Sequence, residues 1–362
     1  MPRLEQLVSV RGIAAWLVVL FHSLALLKIA VPALPSPVVD VIAHGYLAVD
    51  FFFVLSGFII FINYYDKFNT RIVGNSLLFY WNRFSRIYPV HFFMLIGYSC
   101  LALAYLYFSS TKVTPNAFTL KTFLENLFLV QAWAGNHTSW NVPSWSISAE
   151  WFVYLLFPVF SILLGKFRNS YSAHIAVATA LLAAVFFIDA FSSDQNIHTR
   201  FTNVPLVRAF YEFSLGTIIG SGYINFHEKM ISHRIILAAL LLLSGLVTWR
   251  FGAIGNGVTA LNCCILVWLL CLDQSYIKFF LSNRVLVYLG EISYSTYMIH
   301  YFVYDVYKAV WIHSITDVNL FSLVASFSFL LILSMAMHRM IELPAQRYLR
   351  SWQVSSRRVA RT

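Results

Sequence analysis

Four ionisable side chains fall where an apolar sequence should not tolerate them. His22 lies eleven residues beyond Arg11, Asp50 sits in a second apolar run, Glu150 enters a further one, and His300 is central in another. A charged Asp, Arg or Lys at the centre of a membrane helix costs roughly 2.5–3.5 kcal/mol on insertion scales, so such groups persist where they pair or do chemistry. At about 1.5 Å per residue, His22 stands about 16 Å along its helix from Arg11. Asp50, approached from the opposite end of its run, falls near the same depth. A histidine with one or two carboxylates at matched depth makes a general base with an orienting partner. The same residues also suit plain hydrogen bonding between helices, and the residues alone leave both readings open, for His300 above all. Arg83 and Arg86, three apart on one face of a helical turn, suit phosphate binding through paired charge-assisted hydrogen bonds. They equally suit ordinary anchoring at the basic side of a membrane. Gly45, Ser56 and Gly57, flanking Phe51 to Phe53, permit close approach of a helix or ligand.

The elements that must position these groups follow from composition. Of 362 residues, 59% are hydrophobic and 11% charged, against roughly 25% charged in an average soluble domain, and the mean hydropathy is +0.71. That excess of apolar surface must face lipid, where only helices or closed barrels satisfy their own backbone. The runs are long and none alternates with a period of two, so the expectation is an all-α integral membrane protein, a bundle of about ten transmembrane helices. At roughly 20 residues per crossing, the candidates are Val10–Ala30, Tyr46–Tyr64, Ile87–Phe108, Ser146–Leu164, His174–Phe191, Pro205–Ile224, Ile235–Trp249, Ile254–Leu272, Ile292–Trp311 and Leu320–Met340. Arg208 and Glu212, four apart in the sixth, are placed to neutralise each other. Phe118–Trp133 reads as a short amphipathic segment along the outer interface. The longest outer loops are Ser109–Asn141 and Ser192–Asn203, where acceptor recognition has most room.

Ten crossings put both termini on one side, and the basic residues test that count. Arg3, Arg11, Lys67, Arg71, Arg83, Arg86, Lys166, Arg168, Lys229, Arg234, Lys278, Arg284, Arg339, Arg347, Arg350, Arg357, Arg358 and Arg361 all fall on the side of the N-terminus, out of 25 Lys and Arg. Both termini are therefore expected in the cytoplasm. The net charge of +10 then reflects attraction to anionic headgroups and gives no reason to expect nucleic acid. The first run starts within ten residues of Met1, lacks a cleavage site and reads as a retained helix. The four cysteines lie inside apolar runs as free thiols, with neither disulfide nor zinc spacing, and no metal is expected. Residues 1–350 read as one transmembrane domain and 351–362 as a basic cytoplasmic tail.

Taken in order, several segments resemble the acyltransferase-3 family of bacterial membrane O-acyltransferases. Arg11 and His22 match its arginine, ten residues, histidine motif. Gly45 to Phe58 (GYLAVDFFFVLSGF) is similar to its glycine, valine-aspartate, double-phenylalanine, serine-glycine signature, and Arg83-Phe84-Ser85-Arg86 to its paired-arginine motif. Pro143 to Trp151 (PSWSISAEW), Ile292 to His300 (ISYSTYMIH) and Glu342-Leu343-Pro344 also fit. The resemblance covers essentially the whole chain. It implies an acyl-CoA donor, commonly acetyl-CoA, at the cytoplasmic face of a bacterial inner membrane, and a carbohydrate acceptor hydroxyl outside. On that basis Arg83 and Arg86, helped by Arg11, would hold the donor. His22 would deprotonate the hydroxyl, with Asp50 or Glu150 fixing its tautomer, and Ser146, Ser148 or Tyr294 are candidate oxyanion donors. Direct transfer and a covalent acyl-histidine relay both remain open. The rival reading is a multi-helix transporter of a glycan or small metabolite. That class usually shows internal repeats and paired broken helices, which the sequence does not display.

Overall fold

The computed structural model describes residues 4–68, 72–108, 118–133, 135, 138–167, 169–191, 205–231, 238–245, 256–271, 275–312 and 317–359. Among these there are helices and turns and no strand. Five segments among the described residues are long and apolar enough to cross a membrane: Glu5–His22, Ser36–Phe68, Ile72–Phe108, Val142–Lys166 and Leu320–Trp352. Pro205–Ile231 and Ser293–Val310 have 27 and 18 residues but carry polar groups such as Arg208, Glu212 and His300, all buried. Helices that hide their charges from lipid in this way are what a multi-span bundle contains. The expected seventh crossing is described only over 238–245, which is helical. The expected outer loop Ser192–Asn203 lies outside the described residues.

The chain forms two compact units, each assembled from separated stretches. The first comprises Met1–Val10, Val49–Ser76 and Ala149–Val287. At its centre α4 (Ala48–Tyr64) crosses α9 (Pro205–Ile231). A Cβ placed on Gly57 would strike the carbonyl of Phe213, and one on Gly216 the carbonyl of Val54. The absent side chains are thus what lets the backbones touch, the small-residue packing that substitutes for a hydrophobic drive inside lipid. Phe68, Phe157 and Phe213 fill the space beside the crossing in edge-to-face pairs at 5.6 and 6.0 Å. α7 (Trp145–Lys166), α8 (Tyr171–Phe191) and α11 (Asn256–Cys271) complete this unit's apolar body.

The second unit comprises Arg11–Ala48, Leu77–Ser148 and Tyr288–Thr362. α1 (Glu5–His22) ends on His22, and the chain resumes as α2 (Leu24–Ala30) after Ser23, whose φ/ψ of −94°/2° leave the helical region. The expected unbroken span Val10–Ala30 is therefore interrupted directly after its histidine. α5 (Ile72–Phe108) begins fifteen residues before the expected Ile87, so Arg83 and Arg86 lie inside a continuous helix. The amphipathic stretch from Phe118 is helical only over α6 (Leu120–Leu127), capped by Thr119; Asn126 and Gln131 are buried. α14 (Ser293–Val310) packs on α15 (Leu320–Met337). Beyond α15 the ladder widens to a π turn at His338–Glu342 and continues as α16 (Leu343–Val359). Pro344 explains the widening: it offers no N–H to the carbonyl four residues back and its ring clashes there.

Gly216→Leu is expected to lower the thermal midpoint of the detergent-purified protein, overpacking costing at least about 1–3 kcal/mol. Gly74→Leu, where an added Cβ meets nothing within 4 Å, should leave that midpoint unchanged.

Candidate active site

The second unit holds the histidine pair. His22, half-buried at the end of α1, has its ring centroid 5.2 Å from that of His300 at 35°. The Tyr301 ring stands edge-on to His22, also at 5.2 Å. His300 is 3% exposed, and its Nδ1 is 2.6 Å from the carbonyl oxygen of Tyr297. A carbonyl only accepts, so Nδ1 carries the proton and Nε2 presents a lone pair. That Nε2 is buried without a hydrogen-bond partner among the described residues. Asn141 braces the same helical turn, its Nδ2 donating to the carbonyl of Met298 at 3.0 Å. Both imidazoles line a narrow cleft with Ser23, Tyr304, Tyr307 and Ser326, its remaining wall apolar. The space for water centres inside is about 10 Å³, close to what a single water needs.

The arginine motif lies in the same unit. Arg86 Nη1 donates to Glu342 Oε1, and Glu342 Oε2 accepts from Ser295 Oγ at 2.6 Å and lies 3.0 Å from His338 Nδ1. The side chain of Glu342 is 1% exposed and that of Arg86 24%. Arg86 also rests over the ring of Tyr294 at 5.4 Å, and Arg83 over Phe79 at 5.9 Å. The π turn and Ser295 together build the carboxylate pocket; the sequence motif around Glu342 signalled it without revealing Arg86 as its partner. Arg11 is half-buried in α1. The three hydroxyls considered for an oxyanion are engaged with backbone. Ser146 Oγ donates to the Pro143 carbonyl at 3.0 Å, Ser148 Oγ to Leu129 at 2.7 Å, and Tyr294 Oη to Ile87 at 2.5 Å. In this geometry they fasten loops and helices.

The two carboxylates expected beside His22 have partners of their own in the first unit. Arg208 grips Asp50 with two bonds, Nε to Oδ1 at 2.8 Å and Nη2 to Oδ2 at 2.5 Å. Glu212, expected to neutralise Arg208 from four residues on, pairs with it at 3.8 Å and accepts from Tyr211 Oη at 2.9 Å. Asp50, Arg208 and Glu212 are all buried. Two carboxylates facing one guanidinium leave a net negative charge unless one carboxyl is protonated. Glu150 accepts from Ser56 Oγ at 2.6 Å and Tyr154 Oη at 2.5 Å. Ser56 reads in sequence as a small packing residue, but its hydroxyl has this second use; Tyr154, four residues after Glu150 on one helical face, was legible from spacing.

An all-helical apolar chain with this arrangement of buried polar clusters belongs among membrane acyltransferases, as its relatives establish. The family model described as an acyltransferase domain, acyltransferase-3, matches residues 5–339. The chain belongs to the acyltransferase-3 family. It is 26% identical over 323 residues to the acyltransferase MdmB of Streptomyces mycarofaciens, covering 83% of this chain and 79% of the relative. No solved structure matches.

Removing Arg208 strands the buried carboxylates of Asp50 and Glu212, and breaking a buried pair typically costs about 3–5 kcal/mol. Arg208→Met should therefore cut the yield of monodisperse protein and its thermal midpoint. The triple replacement Asp50→Leu, Arg208→Met and Glu212→Leu should recover much of both, because apolar residues of similar volume in place of a buried ionic cluster are often neutral.

Proposed function

We propose that this protein is a membrane-bound O-acyltransferase that moves an acyl group, acetyl in the simplest case, from cytoplasmic acyl-CoA to a hydroxyl of a carbohydrate. The acceptor is extracytoplasmic or lipid-linked, of the exopolysaccharide or O-antigen kind. The protein crosses a bacterial inner membrane ten times with both termini in the cytoplasm, an orientation supported by the recurrence of basic residues on one side. The observation that carries the reading is His22: it faces a cleft edged with hydroxyls and a second imidazole.

In this mechanism the acceptor hydroxyl gives its proton to His22 as its oxygen attacks the thioester carbonyl. The tetrahedral intermediate collapses, the C–S bond breaks, and the departing thiolate takes the proton from the imidazolium. Arg83 and Arg86 hold the phosphates of the donor, and Arg11 supports the positive charge of the entrance. A guanidinium carries five N–H donors, so the contact of Arg86 with Glu342 fixes its plane and is compatible with a phosphate on the same group. Asp50 and Glu150 are read as supports that hold α4, α7 and α9 together, and Ser146, Ser148 and Tyr294 as fasteners.

General base catalysis typically contributes 10²–10⁴-fold. His22→Ala should remain folded and inserted while CoA release with acceptor falls by at least about 100-fold; activity near that of the parent protein would end the proposal. Arg83→Ala should raise KM for acyl-CoA by about tenfold or more, as loss of a charge-assisted bond to phosphate implies, with kcat changed far less. Mass spectrometry of surface glycans with and without the protein, reading the loss of one acyl mass, identifies donor and acceptor together.

A further inference from the structure

We propose that His300 is the positioning partner of His22, filling the place that a carboxylate takes in most histidine-based sites. The inference rests on the acyltransferase reading above and names a residue role within it. The geometry is that of a fixed neutral acceptor. The Tyr297 carbonyl pins the proton on Nδ1, Asn141 braces the adjacent peptide, and Nε2 is left buried and unpartnered among the described residues. The ring of His22 lies beside it in the same cleft at 5.2 Å between centroids; Nε2 is without partner among the described residues in this arrangement, and a turn of the His22 ring brings one of its nitrogens within an N–H···N bond of ordinary length, about 3 Å.

When one nitrogen of His22 takes the proton of the acceptor hydroxyl, its other nitrogen carries an N–H that donates to Nε2 of His300. That bond holds the ring of His22 in the tautomer the reaction needs and spreads the charge of the imidazolium. The proton count is unchanged: the hydroxyl proton passes to His22 and then to the departing thiolate, and His300 neither gains nor loses one. A neutral partner suits a cleft walled by Val19, Leu26, Leu323, Phe327 and Leu330, where a second ion would need compensation of its own.

Two substitutions separate this role from mere packing. In His300→Asn the amide nitrogen reproduces the donor at Nδ1 but nothing replaces Nε2. In His300→Gln the amide oxygen reproduces the acceptor at Nε2 but the bond to Tyr297 is lost. CoA release in the presence of acceptor should fall about tenfold or more in kcat for His300→Asn, the loss expected for a hydrogen bond to a charged group, with KM for acyl-CoA nearly unchanged. His300→Gln should retain most of kcat. Equal activity in the two variants, or the reverse order, overturns the proposal. If either variant fails to fold, the 15N spectrum of histidine-labelled parent protein decides: an Nδ1-protonated neutral His300 is expected, and an Nε2-protonated one overturns it. His22→Ala runs alongside as the control. Full activity there sinks the enzyme reading, whereas loss there with an indifferent His300→Asn sinks this inference alone.

Discussion

Withdrawing charge from water into an apolar bundle is the cost around which this protein is built. Each unit meets it with a buried carboxylate held by an arginine. In the first, Arg208 spans both oxygens of Asp50 and so ties α9 to α4. In the second, Arg86 meets Glu342 and ties α5 to the π turn. A buried pair of this kind adds little net stability over an apolar one, but breaking it is expensive. Its structural value is register: it admits one sliding position of the helices and penalises the rest. Gly57 and Gly216 act on the same crossing as Asp50 and Arg208, bringing the backbones close enough for a short guanidinium–carboxylate bond.

The histidine cleft is held by neutral contacts. His300 has one nitrogen satisfied and one not, and the walls around it are largely apolar. Buried polar atoms left without partners cost about 1–3 kcal/mol each, and the open nitrogen of His300 is one of several among the described residues, with Glu212 Oε2 and His91 Nδ1. Rigidity comes from the surroundings. Tyr307 binds Ser322 at 2.8 Å, the Asn319 cap fixes the start of α15, and Asn141 holds the turn of α14. Helix ends and hydroxyls thereby place two imidazoles with no ion pair to either among the described residues.

Much of this was legible from residues alone, and the gaps have physical causes. Helical crossings follow from apolar runs, so α4, α7 and α14 agree with expectation to within two residues at each end. Boundaries failed where polar residues sit inside a helix: the Trp81-to-Arg86 segment looks like an entrance to a span, yet α5 runs straight through it. The break at Ser23 and the π turn at His338 are invisible to hydropathy, because neither changes composition. Cost in lipid marks the charged and imidazole groups in the sequence. It could not choose partners. Depth along a helix gives one coordinate of three, so it puts Asp50 within the apolar layer but not the azimuth that brings its carboxylate to Arg208. Ser146 and Ser148 show the same limit in reverse, since a hydroxyl in a motif does not disclose whether its hydrogen is already spent.

The length of α5 has a bearing on selectivity. Its 37 residues make a rod of about 55 Å, nearly twice the roughly 30 Å thickness of bilayer hydrocarbon. Tilts seldom exceed about 40°, so even with a bend at Pro89 part of the rod must stand among headgroups. Its N-terminal portion carries Asn82, Arg83 and Arg86. Any nucleotide gathered there meets the guanidinium groups in a layer crowded with phosphodiesters, which compete for the same bonds at far higher local abundance. If Arg83 and Arg86 hold the donor as proposed above, discrimination must draw on the base, the sugar or the thioester arm of the incoming molecule, since the arginines alone cannot tell a coenzyme from a phospholipid.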